Sequence, residues 1–150
     1  MEPKLTPNPI NPKSVISDYF DYVEQYRRAS AAMPDSADVF WPRLQTRGLL
    51  LELALKTYIC ATGMVVEGHN LEELAGMAVD RGLSLTDADW TERIERTNEI
   101  YYKYIDWNAK YLSRYPTPNR GMSVWITPGH DAMDEMIDRI VKQAHAKWKP

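Results

Sequence analysis

The stretch WPRLQTRGLLLELALKTYICAT, residues 41–62, decides the fold. Wound as a helix, its run from Leu49 to Lys56 is apolar on nearly every face. Pro42 falls in the first turn, where a missing amide donor costs nothing, and Gly63 follows as a left-handed stop. A helix apolar all round has no face to give to water, so it belongs at the centre of a helical bundle.

The flanking segments read as the helices that cover it. From Lys13 to Met33, Val15, Tyr19, Tyr22, Val23, Tyr26, Ala29 and Met33 recur at amphipathic-helix spacing, and Pro34 ends the run. A short third helix, Leu71 to about Arg81, follows the turn Gly68-His69-Asn70 with Asn70 as its cap and stops at Gly82. Thr86 and Asp89 form the capping signal of a long fourth helix ending at Arg114. Its predicted inward face is Trp90, Ile94, Thr97, Tyr101, Tyr104, Ile105, Asn108, Tyr111 and Leu112. The fifth helix opens at Thr127-Pro128 and turns Met133, Met136, Ile137, Ile140, Ala144 and Trp148 inward. Strands are expected to be almost absent, since the one β-like run, Val124 to Ile126, is too short for a sheet. The fold class is therefore all-α, an antiparallel bundle of four to five helices. Residues 1–12 carry four prolines and read as an extended arm, leaving 13–150 as a single helical domain.

Composition narrows the function classes. At 150 residues, 44% hydrophobic and 26% charged, the chain is of ordinary globular make-up. Its net charge of −3 announces no general polyanion binder. One cysteine, Cys60, excludes an internal disulfide, and there is neither a signal-peptide core nor a membrane-length apolar run. A cytoplasmic protein with no membrane partner is expected. The charge is unevenly spread: residues 100–150 hold eight Lys or Arg against five acids, whereas residues 1–99 hold ten against sixteen. Any polyanion is thereby directed to the C-terminal half. There Arg96, Lys103, Lys110 and Arg114 form a basic stripe, locally offset by acids one turn earlier.

Several polar residues stand out against the apolar pattern. Glu52 and Lys56, one turn apart, join Gln45 in a narrow polar strip through the central helix, and must be satisfied by each other or by neighbouring turns. His69 is placed to bond backbone groups and fix the start of the third helix. Asn108, in the apolar stripe of the fourth helix, is a candidate register-setting amide. His130 and Asp134 share a helix face, but the helix dipole already accounts for acids in a first turn, so no metal and no cofactor is expected.

Four pieces fall in a characteristic order: Glu52-x-x-x-Lys56, Gly68-His69-Asn70-Leu71-x-x-Leu74, Gly82-Leu83, and Arg114-Tyr115-Pro116. In this the chain resembles the HEPN superfamily of small helical domains, in particular the branch with a Gly-His-x-Leu turn and an Arg-Tyr-Pro ending. The resemblance implies an antiparallel helical bundle, a homodimer, and a role in RNA cleavage, in RNA or nucleotide binding, or in prokaryotic defence or toxin–antitoxin systems. Large aromatics near helix edges, Trp107, Trp125 and Trp148, point to the same dimer. Many HEPN members cleave RNA without a metal through an Arg-x(4 to 6)-His motif, and Arg139 and His145 alone have that spacing here. Ile140 stands where a polar residue is usual, and six residues along one helix point the two side chains about 120° apart. They could cooperate only across a dimer.

The expectation is therefore a non-catalytic HEPN-like module that binds RNA, a nucleotide or a protein partner. His69, Asn70, Lys103, Lys110, Arg114, Tyr115 and Arg120 are its candidate contacts, and His69 and the Arg114-Tyr115-Pro116 ending are expected to act together as a latch or a pocket rim. The alternatives are a ribonuclease with a composite Arg139/His145 site, and a helical protein-interaction module without a nucleotide ligand.

Overall fold

A computed structural model describes residues 4–6, 12–34, 36–103 and 130–149. The described chain is mostly helical. Helix α1 spans Pro12–Ala32 and, after a 3-10 turn at Ala37–Val39, α2 spans Phe40–Ala61. A short α3 covers Leu71–Asp80. Helix α4 is continuous but irregular: a π segment Asp89–Ile94, an α segment Glu95–Asn98 and a second π segment Glu99–Lys103. Helix α5 covers His130–Lys147.

The apolar centre of α2 ends where expected. Leu50, Leu51, Ala54, Leu55, Ile59 and Cys60 are buried, and α1, α3 and α5 all pack on this helix. Gly63 and Gly82 stop α2 and α3 with φ of +100° and +106°, a backbone region that glycine enters without a Cβ penalty. From α5 the predicted stripe Met133, Met136, Ile137, Ile140 and Ala144 closes the core, and Trp148 packs against it. Of the fourth helix's inward residues, Ile94, Thr97 and Tyr101 are buried; Tyr104, Ile105, Asn108, Tyr111 and Leu112 lie outside the described residues, as do Trp107 and Trp125.

Three expectations need correction. First, the N-terminal arm is not wholly unpacked: its three residues Lys4–Thr6, β1, pair antiparallel with the equally short β2, Val65–Glu67, with Leu5 opposite Val66. The β-branched pair Val65-Val66 leaves α2 in extended conformation, Val66 is buried, and part of the N-terminal arm supplies the missing ladder partner. Second, the inward face of α1 is only partly the predicted one: Val23 is buried as expected and Val15 packs against the core, but Ile16 joins it and Tyr22 does not. Tyr19 and Tyr26 are half-buried, and Tyr22 is 54% exposed. Third, α4 is not a regular α-helix. The amide of Glu95 reaches back five residues to the Trp90 carbonyl, and the widened turns bring Asp89, Ile94 and Asn98 to one buried side, a spacing of five and four.

Candidate functional site

The polar strip of α2 is the middle of a closed network. Glu52 is 4% exposed, and its carboxylate has three donors. Lys56 Nζ donates to Oε2 at 3.1 Å, while His69 Nδ1 and the Tyr101 hydroxyl each reach Oε1 at 2.9 Å. The pairing within α2 follows the i, i+4 reading; the other two donors come from the turn before α3 and from α4. His69 therefore bonds a buried carboxylate and not the backbone groups expected of it. The His69 side chain is half-exposed.

Tyr101 reaches Glu52 because of Gly48, one turn earlier on α2. A Cβ on Gly48 would stand 2.2 Å from Tyr101 Cδ1 and 2.6 Å from Cγ, so the ring lies directly on the helix backbone. Alanine in a helix interior ordinarily gains about 1 kcal/mol over glycine. Here Gly48→Ala is expected to destabilise by about 1–3 kcal/mol instead, because the core would have to expel the ring. Urea unfolding checks this, and a neutral or stabilised variant would show that the ring does not rest there.

A second network joins α3 to α4. Asn70 caps α3, its Oδ1 accepting from the amides of Glu72 at 3.2 Å and Glu73 at 3.5 Å. Asn98, wholly buried, donates Nδ2 to Asn70 Oδ1 at 2.8 Å and to Glu72 Oε2 at 2.9 Å, and its Oδ1 accepts the Leu71 amide at 2.8 Å. Asn70 is thus taken up by the fold. Asn98 was not singled out from the sequence, although it stands four residues after Ile94 and three before Tyr101, beside the predicted inward face.

Arg139 and His145 are drawn to different neighbours. Asp89, wholly buried at the start of α4, receives both ends of the Arg139 guanidinium at 2.7 Å, Arg93 Nη1 at 3.1 Å and the Thr86 amide at 2.9 Å. The Asp89 amide donates back to Thr86 Oγ1, completing the capping signal read from the sequence. Burial by itself would raise the Asp89 pKa. The Arg139 hydrogen bonds, the Thr86 amide and the Arg139 charge outweigh it and hold the carboxyl below its ordinary value. His145, two turns further along α5, stacks its ring on Phe20 of α1 with centroids 3.9 Å apart and planes 8° from parallel.

Between α1 and α2 lies a groove of about 360 Å³ lined by Val15, Asp18, Tyr19, Tyr22, Leu53 and Lys56. Burial, together with the nearby Cys60 and Glu52, pushes the Tyr19 phenol pKa up. Burial also raises the Cys60 thiol to about 11, which makes it an inert core group. Among the described residues there is no cluster of three or more metal-ligating side chains, and no helix long and apolar enough to cross a membrane.

Lys103 is the last described residue of α4, and the remaining candidate contacts, Lys110, Arg114, Tyr115 and Arg120, lie outside the described residues, as does the expected His69–Arg114 pairing. Compared with known protein families, with characterised proteins and with solved structures, the chain matches none of them.

Proposed function

We propose that the chain is a non-catalytic HEPN-like antiparallel helical bundle that binds RNA or a nucleotide through its basic C-terminal half, as a cytoplasmic homodimer of a prokaryotic cell. The observation that carries the non-catalytic reading is the Arg139–Asp89 pair. A ribonuclease needs its arginine aimed at phosphate, whereas here both ends of the guanidinium are held at 2.7 Å by a buried carboxylate. Opening that pair for each substrate would give up two of the charge-assisted bonds of a wholly buried carboxylate and leave it to Arg93 and the Thr86 amide. The placement of the ligand rests on charge: the excess of Lys and Arg after residue 99 is where a phosphate backbone gains most.

The test is a pair of assays on purified protein. Incubated with total RNA, wild type is expected to match a buffer control. Turnover that His145→Ala abolishes would establish the ribonuclease and overturn the non-catalytic reading. In fluorescence titrations with a single-stranded RNA oligomer and with nucleotides, binding is expected to weaken steadily as salt rises. Absence of binding at low salt would overturn the RNA or nucleotide ligand and leave a protein-interaction module.

A further inference from the structure

The groove between α1 and α2 joins aromatic walls to an unbalanced charge. Tyr19 and Tyr22 line it from α1 together with Val15, and Leu53 lines it from α2. Tyr22 is more than half exposed, so much of its ring is open to a ligand. The two charged residues of the groove, Asp18 and Lys56, stand differently. The mostly buried Lys56 ammonium is already committed to Glu52 at 3.1 Å, whereas Asp18 is exposed and has no hydrogen-bond or ion-pair partner among the described residues. Asp18 and Glu52 set against Lys56 leave a net negative charge. That potential reaches the aromatic wall: burial first, then Cys60 and Glu52, push the Tyr19 phenol pKa up.

We infer that this groove binds a small dissolved organic cation, an ammonium carrying methyl groups. The positive charge is attracted by the faces of the tyrosine rings and by Asp18, and the methyl groups pack on Val15 and Leu53. A primary ammonium or a guanidinium fits less well, since each has several N–H donors to satisfy and the aliphatic walls offer no acceptor. Size agrees with a small ligand: about 360 Å³ lies near the lower end of ligand sites, roughly 300–1,000 Å³. A lipid head group carries the same ammonium beside a phosphate, and the exposed acids Asp18 and Asp21 on α1 repel that phosphate. The groove is separate from the basic C-terminal half, so its test does not depend on an RNA or nucleotide ligand.

The test is a ligand-observed NMR titration of the full chain with choline and with its neutral carbon analogue, in which a tert-butyl group replaces the trimethylammonium. Wild type is expected to bind choline saturably and at least ~10-fold more tightly than the analogue. Tyr22→Ala and Asp18→Asn should each weaken choline by ~5-fold or more, while Tyr22→Phe, which keeps the ring face, should bind as wild type does. Val79→Ala, on α3 and outside the groove, should change nothing. A thermal melt of each variant shows that it is folded. Equal affinity for the two probes, binding that survives both Tyr22→Ala and Asp18→Asn, or no saturable binding of choline overturns the cation site. Phosphatidylcholine vesicles should not pull the protein down; co-sedimentation that Tyr22→Ala abolishes would move the ligand to a membrane surface and overturn the dissolved cation.

Discussion

Glu52→Ala is expected to lower the unfolding free energy by about 3–5 kcal/mol, the usual cost of removing one member of a buried charged pair. The carboxylate serves Lys56, His69 and Tyr101 at once, so its loss leaves a mostly buried ammonium without a counter-charge and a buried hydroxyl without its acceptor. Glu52→Gln keeps an acceptor for Tyr101 but no charge for Lys56, and should fall between wild type and alanine. The double replacement Glu52→Leu with Lys56→Met removes both charges, and should recover part of the loss, since an apolar pair of similar volume avoids stranding either ion. Urea unfolding followed by far-ultraviolet circular dichroism measures all three. If Glu52→Ala unfolds within about 1 kcal/mol of wild type, an effect typical of a surface pair, the network does not hold these elements together.

The reach of the sequence follows from how local each signal is. The all-round apolar run on α2, the Asn70 cap, the Thr86–Asp89 capping pair and the glycine stops are set by a few adjacent residues, and each appears in place. Glu52 and Lys56, four residues apart, were readable as a pair for the same reason. What Glu52 also binds was not readable, because His69 is 17 residues away and Tyr101 is 49. Asp89 shows the limit most plainly: its role as a cap is written three residues upstream at Thr86, while its partner Arg139 is 50 residues downstream and stands out in the sequence only for its spacing from His145. The edge of the buried face of α1 has another cause. Ile16 and Tyr22 flank the stripe that includes Val15, Tyr19, Val23 and Tyr26, and periodicity cannot choose which apolar flank is covered. Nor does residue type announce a π turn, and Asn98, though it stands four residues after Ile94, has its partners Asn70 and Glu72 28 and 26 residues away.

Acid should act on the protein through Asp89. Its folded pKa lies below the ordinary carboxylate value, held there against the opposing effect of burial by Arg139 and Thr86. A depressed folded value means that the unfolded chain takes up the proton first as pH falls. The contribution of Asp89 is therefore fully present above the unfolded value of about 4, and is lost as pH drops from there through the lower folded value. Asp89→Asn removes the titration and leaves two guanidinium groups, Arg139 and Arg93, without their counter-charge. At neutral pH the variant is expected to lose about 3–5 kcal/mol. Towards acid the difference from wild type should shrink, since wild type loses the same charge by protonation. Arg139→Ala, in contrast, leaves Asp89 with Arg93 and the Thr86 amide and removes a half-exposed side chain, so about 1–3 kcal/mol is expected at neutral pH. Urea unfolding at a series of pH values separates these cases. A gap between wild type and Asp89→Asn that stays constant from neutral pH into strong acid would show that folding leaves the Asp89 pKa unshifted, so that Arg139 does not hold its carboxylate, and would release Arg139 for a role beyond the fold.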